Sequence, residues 1–204
     1  MNAELDTVAQ VIRQRRSIRR YLSKSVPEHV VMHLVEQAGW APSAHNRQPW
    51  RFKVLRHAHE KEHLALAMGQ RLRADRMRDQ DAVSAIDMDV ARSYQRITGA
   101  PVVIVVFLTL EDMDVYCDDQ RNHCEYLMAV QSTAMAVQNL LLSAHAMGLG
   151  ACWMCAPLFC MDTVALALKT PSHWFAQSMI TVGYPQTKPM DKSRKSLSEI
   201  YCET

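Results

Sequence analysis

Residues 13–20 read RQRRSIRR: five arginines in eight positions, broken by a glutamine, a serine and an isoleucine. The whole chain carries a formal charge of only +2, so this run is not a sample of a generally basic protein. Three anions could call for it: nucleic acid, an acidic lipid surface, or the phosphate of a bound cofactor. Val8, Val11 and Ile12 fall at helical spacing and predict an amphipathic helix over residues 4–16. Arg15, Arg16, Ser17 and Arg19 then sit where that helix stops and a turn begins. Fork-shaped guanidinium donors converging with a hydroxyl suit a phosphate monoester. Arg13 and Arg20 face solvent on this reading.

The rest of the chain narrows the choice. With 204 residues, 49% hydrophobic and 22% charged, it is expected to fold as one domain, 1–204, and a disordered reading fails. Balanced charge gives no nucleic-acid footprint, and the next basic cluster, Lys188, Lys192, Arg194 and Lys195, is far along the chain. No helix-turn-helix or aromatic RNA-binding signature lies between. A membrane-surface helix would need bulky aromatics on its apolar side, which are missing. The longest apolar run, PVVIVVFLTL at 101–110, is about half the length needed to span a bilayer. The start, MNAELDTVAQVIRQRR, has no secretory apolar region. A soluble cytoplasmic protein is expected, with its six cysteines as reduced thiols.

A second helix is predicted from Pro27 to Trp40, with Val30, Val31, Leu34, Val35 and Ala38 as its stripe. The loop APSAHNRQPW follows, then a short strand RFKVLR. Residues 59–97 are charge-rich with scattered apolar positions and predict exposed helices that form a mobile lid. VVIVVFLTL reads as a strand buried on both faces. Residues 119–147 predict a long helix, nearly uncharged after Glu125, that is either central or a subunit contact. GACWMC is a strand, 158–169 a helix, QSMITVGY a strand, and the final PQTKPMDKSRKSLSEIYCET an extended tail. Helices mixed with non-alternating strands predict an α+β fold with a central sheet. The apolar long helix and unpacked tail suggest a dimer with exchanged segments.

RRSIRRYL, followed by APSAHNRQPW, resembles the opening signature of the nitroreductase-like FMN-dependent oxidoreductases. AVQNLLLSAHAMGLGACWM is similar to that family's central helix and next strand, and ITVGYP with KSRKSL to its C-terminal segment. The resemblance covers nearly the full length in order. Its GLGACWM, YQRITGAPVVIVV and YCDDQRNHCEYLMAV stretches look closest to the branch containing the reductase domain of deazaflavin-coenzyme biosynthesis; flavin-destroying and dehalogenating branches remain alternatives.

The resemblance implies the nitroreductase-like fold, with a mixed or antiparallel sheet in a segment-exchanged homodimer and FMN at the subunit interface. NADH or NADPH would be the donor, and a small nitro, quinone or unsaturated compound the acceptor, in ping-pong order. Arg15, Arg16, Ser17 and Arg19 would contact the FMN phosphate and ribityl chain, with Lys192 and Arg194 of the tail. Pro42, Ser43, Asn46 and Gln48 would meet the flavin, whose mixed pyrimidine edge suits side-chain amides. Trp153 and Met154 would lie near the ring, and Gly148, Gly150 and Ala151 would let backbone approach it. No catalytic acid, base or nucleophile is required, because the flavin carries the chemistry. A non-catalytic flavin-binding carrier or sensor is the rival from another class.

Other constellations read as structural. Cys152 and Cys155 form a Cys-x-x-Cys inside an apolar strand, where alternate side chains face opposite ways; buried thiols are expected and no metal. His145 on the long helix reads as an interior histidine, whereas His45 lies in the flavin loop. Thirteen methionines read as adaptable core filling.

Overall fold

The strand read as buried on both faces is the centre of the fold. In the computed structural model of the chain, which describes residues 3–187 and 191–202, Val102–Leu108 forms β2 with all 7 residues buried. β1 (Trp50–Leu55) and β4 (Phe175–Gly183) flank it, and β3 (Gly150–Met154) lies outside β4. The sheet is antiparallel throughout, in the order β1-β2-β4-β3. Ile104 stands between Val54 and Ile180; the register slips after Val106, leaving Gln177 as the extra residue of a bulge.

Alternation along β2 divides the core into two layers. Val102, Ile104 and Val106 pack under α2 (Glu28–Gly39) and α5 (Asp119–Ala146), against Leu34, Ala136 and Leu140. Val103, Val105 and Phe107 face the other way, toward α3 (Ala58–Arg78), α4 (Val83–Thr98) and α6 (Met161–Leu168). Helices on both faces of an antiparallel sheet make the α+β architecture that the sequence predicts. α1 (Ala3–Gln14) opens the chain and a short α7 (Leu197–Ile200) lies near its end. The tail basic residue Lys188 lies outside the described residues.

α5 is long and apolar enough to cross a membrane by length and composition alone. Here it is a core helix: Ala129, Ala136, Val137, Leu140 and Ala144 are fully buried against the fold. Asp118 caps it, accepting from the Arg121 backbone N–H at 2.9 Å. Its far side leaves Leu127, Met135 and Met147 exposed.

The reading of residues 59–97 as exposed helices forming a lid is corrected. α3 and α4 form a hairpin whose inner side is core, with Leu64, Met68, Ile86 and Ile97 buried. Charged side chains hid this pattern because they are interspersed with the buried positions and pair with one another. Arg73 pairs with Asp87, and Arg76 with both Asp81 and Asp89. Arg71 reaches Asp162 at the start of α6 at 3.0 Å. The predicted helix 158–169 begins as a 3-10 turn, Ala156–Cys160, before α6.

Ile104 is completely enclosed between two strands and α5. Ile104→Ala is expected to destabilise the fold by about 2–5 kcal/mol through lost transfer energy and a residual cavity. A urea unfolding midpoint shifted down, with its slope unchanged, checks this.

Candidate functional site

The arginine run follows α1 and is stitched to the outer edge of β3. Ser17 bridges Ala151 in parallel, and the Ile18 N–H donates to the Ala151 carbonyl at 3.0 Å. Further on, Tyr21 bridges Pro185 and the Leu22 N–H donates to the Tyr184 carbonyl at 2.9 Å. Tyr21 closes the seam from inside, its hydroxyl within 2.8 Å of the Thr181 hydroxyl and donating to the Ile18 carbonyl. Burial is the main reason that this phenol is held far above its ordinary range.

Gly150 makes the seam possible. A Cβ there would meet the Ile18 side chain at 2.7 Å. A close approach does occur at this residue, with Ile18 packed where a Cβ would stand. Gly148 serves a different need, a backbone turn at φ 74° just after α5.

Attached in this way, the arginines divide between two cavities. Arg15 and Arg16 line a pocket of about 180 Å³ with Ile18, Leu141, His145 and Leu149. The Arg16 Nη1 donates to the Arg13 and Arg15 carbonyls, and its Nη2 pairs with Asp191 at 2.8 Å. Its Nε is buried without a hydrogen-bond partner. The Asp191 pair draws the C-terminal segment to the arginines and sets Lys192 next in the chain; Lys192 and Arg194 are exposed.

Arg19 does not join that pocket. It lines a second chamber, of about 390 Å³, with Trp153, Met154, Cys155 and Leu72. Trp153 and Met154 alternate, packing toward the α5 layer and the α3–α6 layer respectively. Ser17 lies against the Cys152 thiol instead of turning toward Arg16. Burial pushes that thiol up, opposed by Arg19, Arg96 and Ser17. Cys155 is exposed and accepts from the Trp153 indole N–H at 3.0 Å. The two cysteines thus have separate environments, and no cluster of three or more metal-ligating side chains occurs among the described residues.

The loop carrying Pro42, Ser43, Asn46 and Gln48 lies elsewhere. It leads into β1, at the sheet edge opposite β3. Three of its residues, His45, Asn46 and Gln48, hold positive φ of 49°, 54° and 49°. Such strain in non-glycine residues persists only where surroundings impose it. The Ser43 hydroxyl accepts from the Gln48 N–H at 3.0 Å, and Ser132 of α5 accepts from the Ala44 N–H at 3.3 Å. Pro42, Asn46 and Gln48 are exposed, so the loop is held rigid with its amides outward. Three inter-strand spacings of about 4.8 Å separate β1 from β3, so this loop and the arginine run flank opposite edges of the sheet.

Two residues missed from sequence line the Arg19 chamber, Arg92 and Arg96 of α4. They stand four apart on one helix face, and Arg96 has no carboxylate three or four positions away on α4. That imbalance within a charge-rich stretch was the available signal.

Two consequences are measurable. Gly150→Ala is expected to destabilise the protein by about 1–3 kcal/mol through overpacking against Ile18. Adding Ile18→Ala should recover part of that loss in thermal or urea unfolding. His145 is held below its ordinary value by burial and then by Arg15 and Arg16. The unfolded chain therefore binds this proton more readily, so the contribution present above about pH 6.5 is lost as pH falls below it. His145→Gln should flatten that limb of the stability–pH curve.

Known proteins share this arrangement along the whole chain. A crystal structure of a candidate nitroreductase from Desulfovibrio desulfuricans in complex with FMN is 32% identical with a TM-score of 0.75, covering 100% of this chain and 98% of that one. A candidate NADH dehydrogenase/NAD(P)H nitroreductase of Methanothermobacter thermautotrophicus is 29% identical over 184 residues, 89% of this chain and 79% of the relative. An NADH dehydrogenase of Thermus thermophilus is 27% identical over 211 residues, 92% of this chain and 91% of the relative. The Nitroreductase family profile matches residues 12–184, from the last turn of α1 through the arginine seam to the end of β4, and the chain belongs to that family.

Proposed function

We propose that this chain is an FMN-dependent oxidoreductase. It passes hydride equivalents from NADH or NADPH to a small nitro, quinone or unsaturated acceptor, and it works as a homodimer. The observation that carries the reading is Arg16, a cation with a buried, unpartnered Nε beside Arg15. An unsatisfied buried donor costs about 1–3 kcal/mol, an expense that a phosphate oxygen would offset. Asp191 on Arg16 brings the tail, with Lys192 and Arg194, to the same place.

The division of the arginines fits an elongated ligand. A chain can advance at most about 3.3–3.6 Å per residue, so Arg15 to Arg19 spans at most about 14 Å. That is the scale of a ribityl phosphate with a ring at its end. On this reading Arg15 and Arg16 hold the phosphate, with Ser17 contributing its hydroxyl by turning from Cys152. Arg19, Trp153 and Met154 border the ring.

When bound, FMN supplies the two-electron chemistry, and the residues of this chain bind, orient and exclude water. Arg19 places a positive charge beside the ring, which favours negative charge at that end. No side chain is assigned as catalytic acid, base or nucleophile. Donor and acceptor would use one chamber in turn, the ping-pong order.

A second copy supplies the remaining half of the site. Pro42, Ser43, Asn46 and Gln48 stand at the opposite sheet edge, and on this reading they meet the flavin held by the arginines of the partner chain. Val8 and Ile12 of α1, with Leu127 and Met135 of α5, are exposed apolar side chains suited to that contact.

Purified protein is expected to show flavin absorption bands and to oxidise NADH or NADPH faster when a nitroaromatic is added; flavin bands without turnover would indicate a carrier. Arg16→Ala and Arg19→Ala are expected to fold and to retain FMN about tenfold to a hundredfold less well, each losing a charge-assisted contact. Unchanged flavin occupancy in both variants would remove the assignment.

A further inference from the structure

Most cations of the α3–α4 hairpin have carboxylate partners, and one group does not. Arg71, Arg73 and Arg76 each pair with one or two aspartates. Arg92 has Asp89 at 3.1 Å, but Asp89 is also held by Arg76. Arg19, Arg20 and Arg96 make no ion pair among the described residues. These four unbalanced arginines surround one cavity of about 570 Å³, which also takes in Gln95 and Gln186. Arg19, Arg92 and Arg96 line both this cavity and the chamber of Trp153 and Met154, so the two spaces adjoin.

Like charges four apart on a helix repel, as Arg92 and Arg96 do. Guanidinium groups from two separate segments of the chain, facing one cavity with amide donors beside them, form the donor set that phosphate and carboxylate oxygens accept from. The field of this group extends inward: Arg19 and Arg96 both act on the Cys152 thiol. The phosphate arginines Arg15 and Arg16 line neither space, so this cluster is separate from the set assigned to FMN phosphate.

We propose that Arg20, Arg92 and Arg96 form an anion subsite beside the ring chamber, which receives a phosphate or carboxylate group carried by the substrate that exchanges electrons there. The inference rests on the proposed function and names its substrate class: a flat, redox-active group with an anionic arm. The arm has two possible sources, the 2′-phosphate of NADPH or an acid group on the acceptor.

The test is steady-state kinetics of the flavin-loaded protein and of its Arg92→Gln/Arg96→Gln variant. One arm compares NADPH with NADH, using neutral nitrobenzene as acceptor. The other compares 4-nitrobenzoate with nitrobenzene, using NADH. The double variant is expected to raise KM for the anionic member of one pair by about tenfold or more, leaving kcat and the neutral member nearly unchanged. The arm that responds identifies the source. Arg92→Lys/Arg96→Lys should restore part of the effect, and added salt should weaken only the wild-type preference. Equal shifts for charged and neutral members, no shift in either arm, or loss of flavin from the glutamine variant would each overturn the subsite.

If wild-type protein carries no flavin and oxidises neither nicotinamide, the proposed function fails and the subsite is read separately. Inorganic pyrophosphate titrated against Trp153 fluorescence should then give a saturable change that the glutamine variant lacks. No saturable change in the wild type would overturn the subsite as well.

Discussion

The seam between the arginine run and β3 decides where the arginines of that run stand. It depends on a steric allowance at one residue: without a Cβ at Gly150, Ile18 can lie on the strand while its N–H reaches the Ala151 carbonyl. Hydrogen bonds at Ile18 and Leu22 and the enclosed Tyr21 hydroxyl then fix the segment along the sheet edge. Once it is pinned, Arg15 and Arg16 line one cavity and Arg19 another. A freely moving basic loop would hold five guanidinium groups in a shared cloud of solvent. The pinned segment sets them in separate spaces.

The same sheet separates the two sequence motifs. Four antiparallel strands place β1 and β3 at opposite edges, and each edge supports one motif. The β3 edge carries the cationic seam, and the loop before β1 carries the strained amides. Strain at His45, Asn46 and Gln48 is retained because Ser43 and Ser132 tie the loop down. Exposed apolar side chains on α1 and α5 lie outside the core that α5 otherwise completes.

Electrostatics in the α3–α4 hairpin follow a similar division. Arg73 and Arg76 are matched by aspartates, while the chamber beside β3 has three arginines, Arg19, Arg92 and Arg96, around one carboxylate, Asp89. Solvated ion pairs of this kind contribute little to stability, typically below about 1 kcal/mol each. The hairpin is held by Leu64, Met68, Ile86 and Ile97 in the core. Its charge pattern therefore has more bearing on what enters the neighbouring chamber than on whether the hairpin forms.

What the sequence by itself determined was whatever local chemistry dictates. A run of β-branched residues from Val102 to Val106 can satisfy itself only as a central strand, and the near-uncharged stretch after Glu125 only as an enclosed or contacting helix. The order of motifs RRSIRRYL, APSAHNRQPW and GLGACWM likewise carried the family. Tertiary structure alone decided which neighbours share a space. Arg16 and Arg19 are three residues apart yet line different cavities, and Arg19 and Arg96, 77 positions apart, line the same one. Gly150 was visible as a small residue, but not that Ile18 fills its space. Side-chain direction at a sheet edge depends on the pairing register, and pairing is a property of the folded chain, not of the segment.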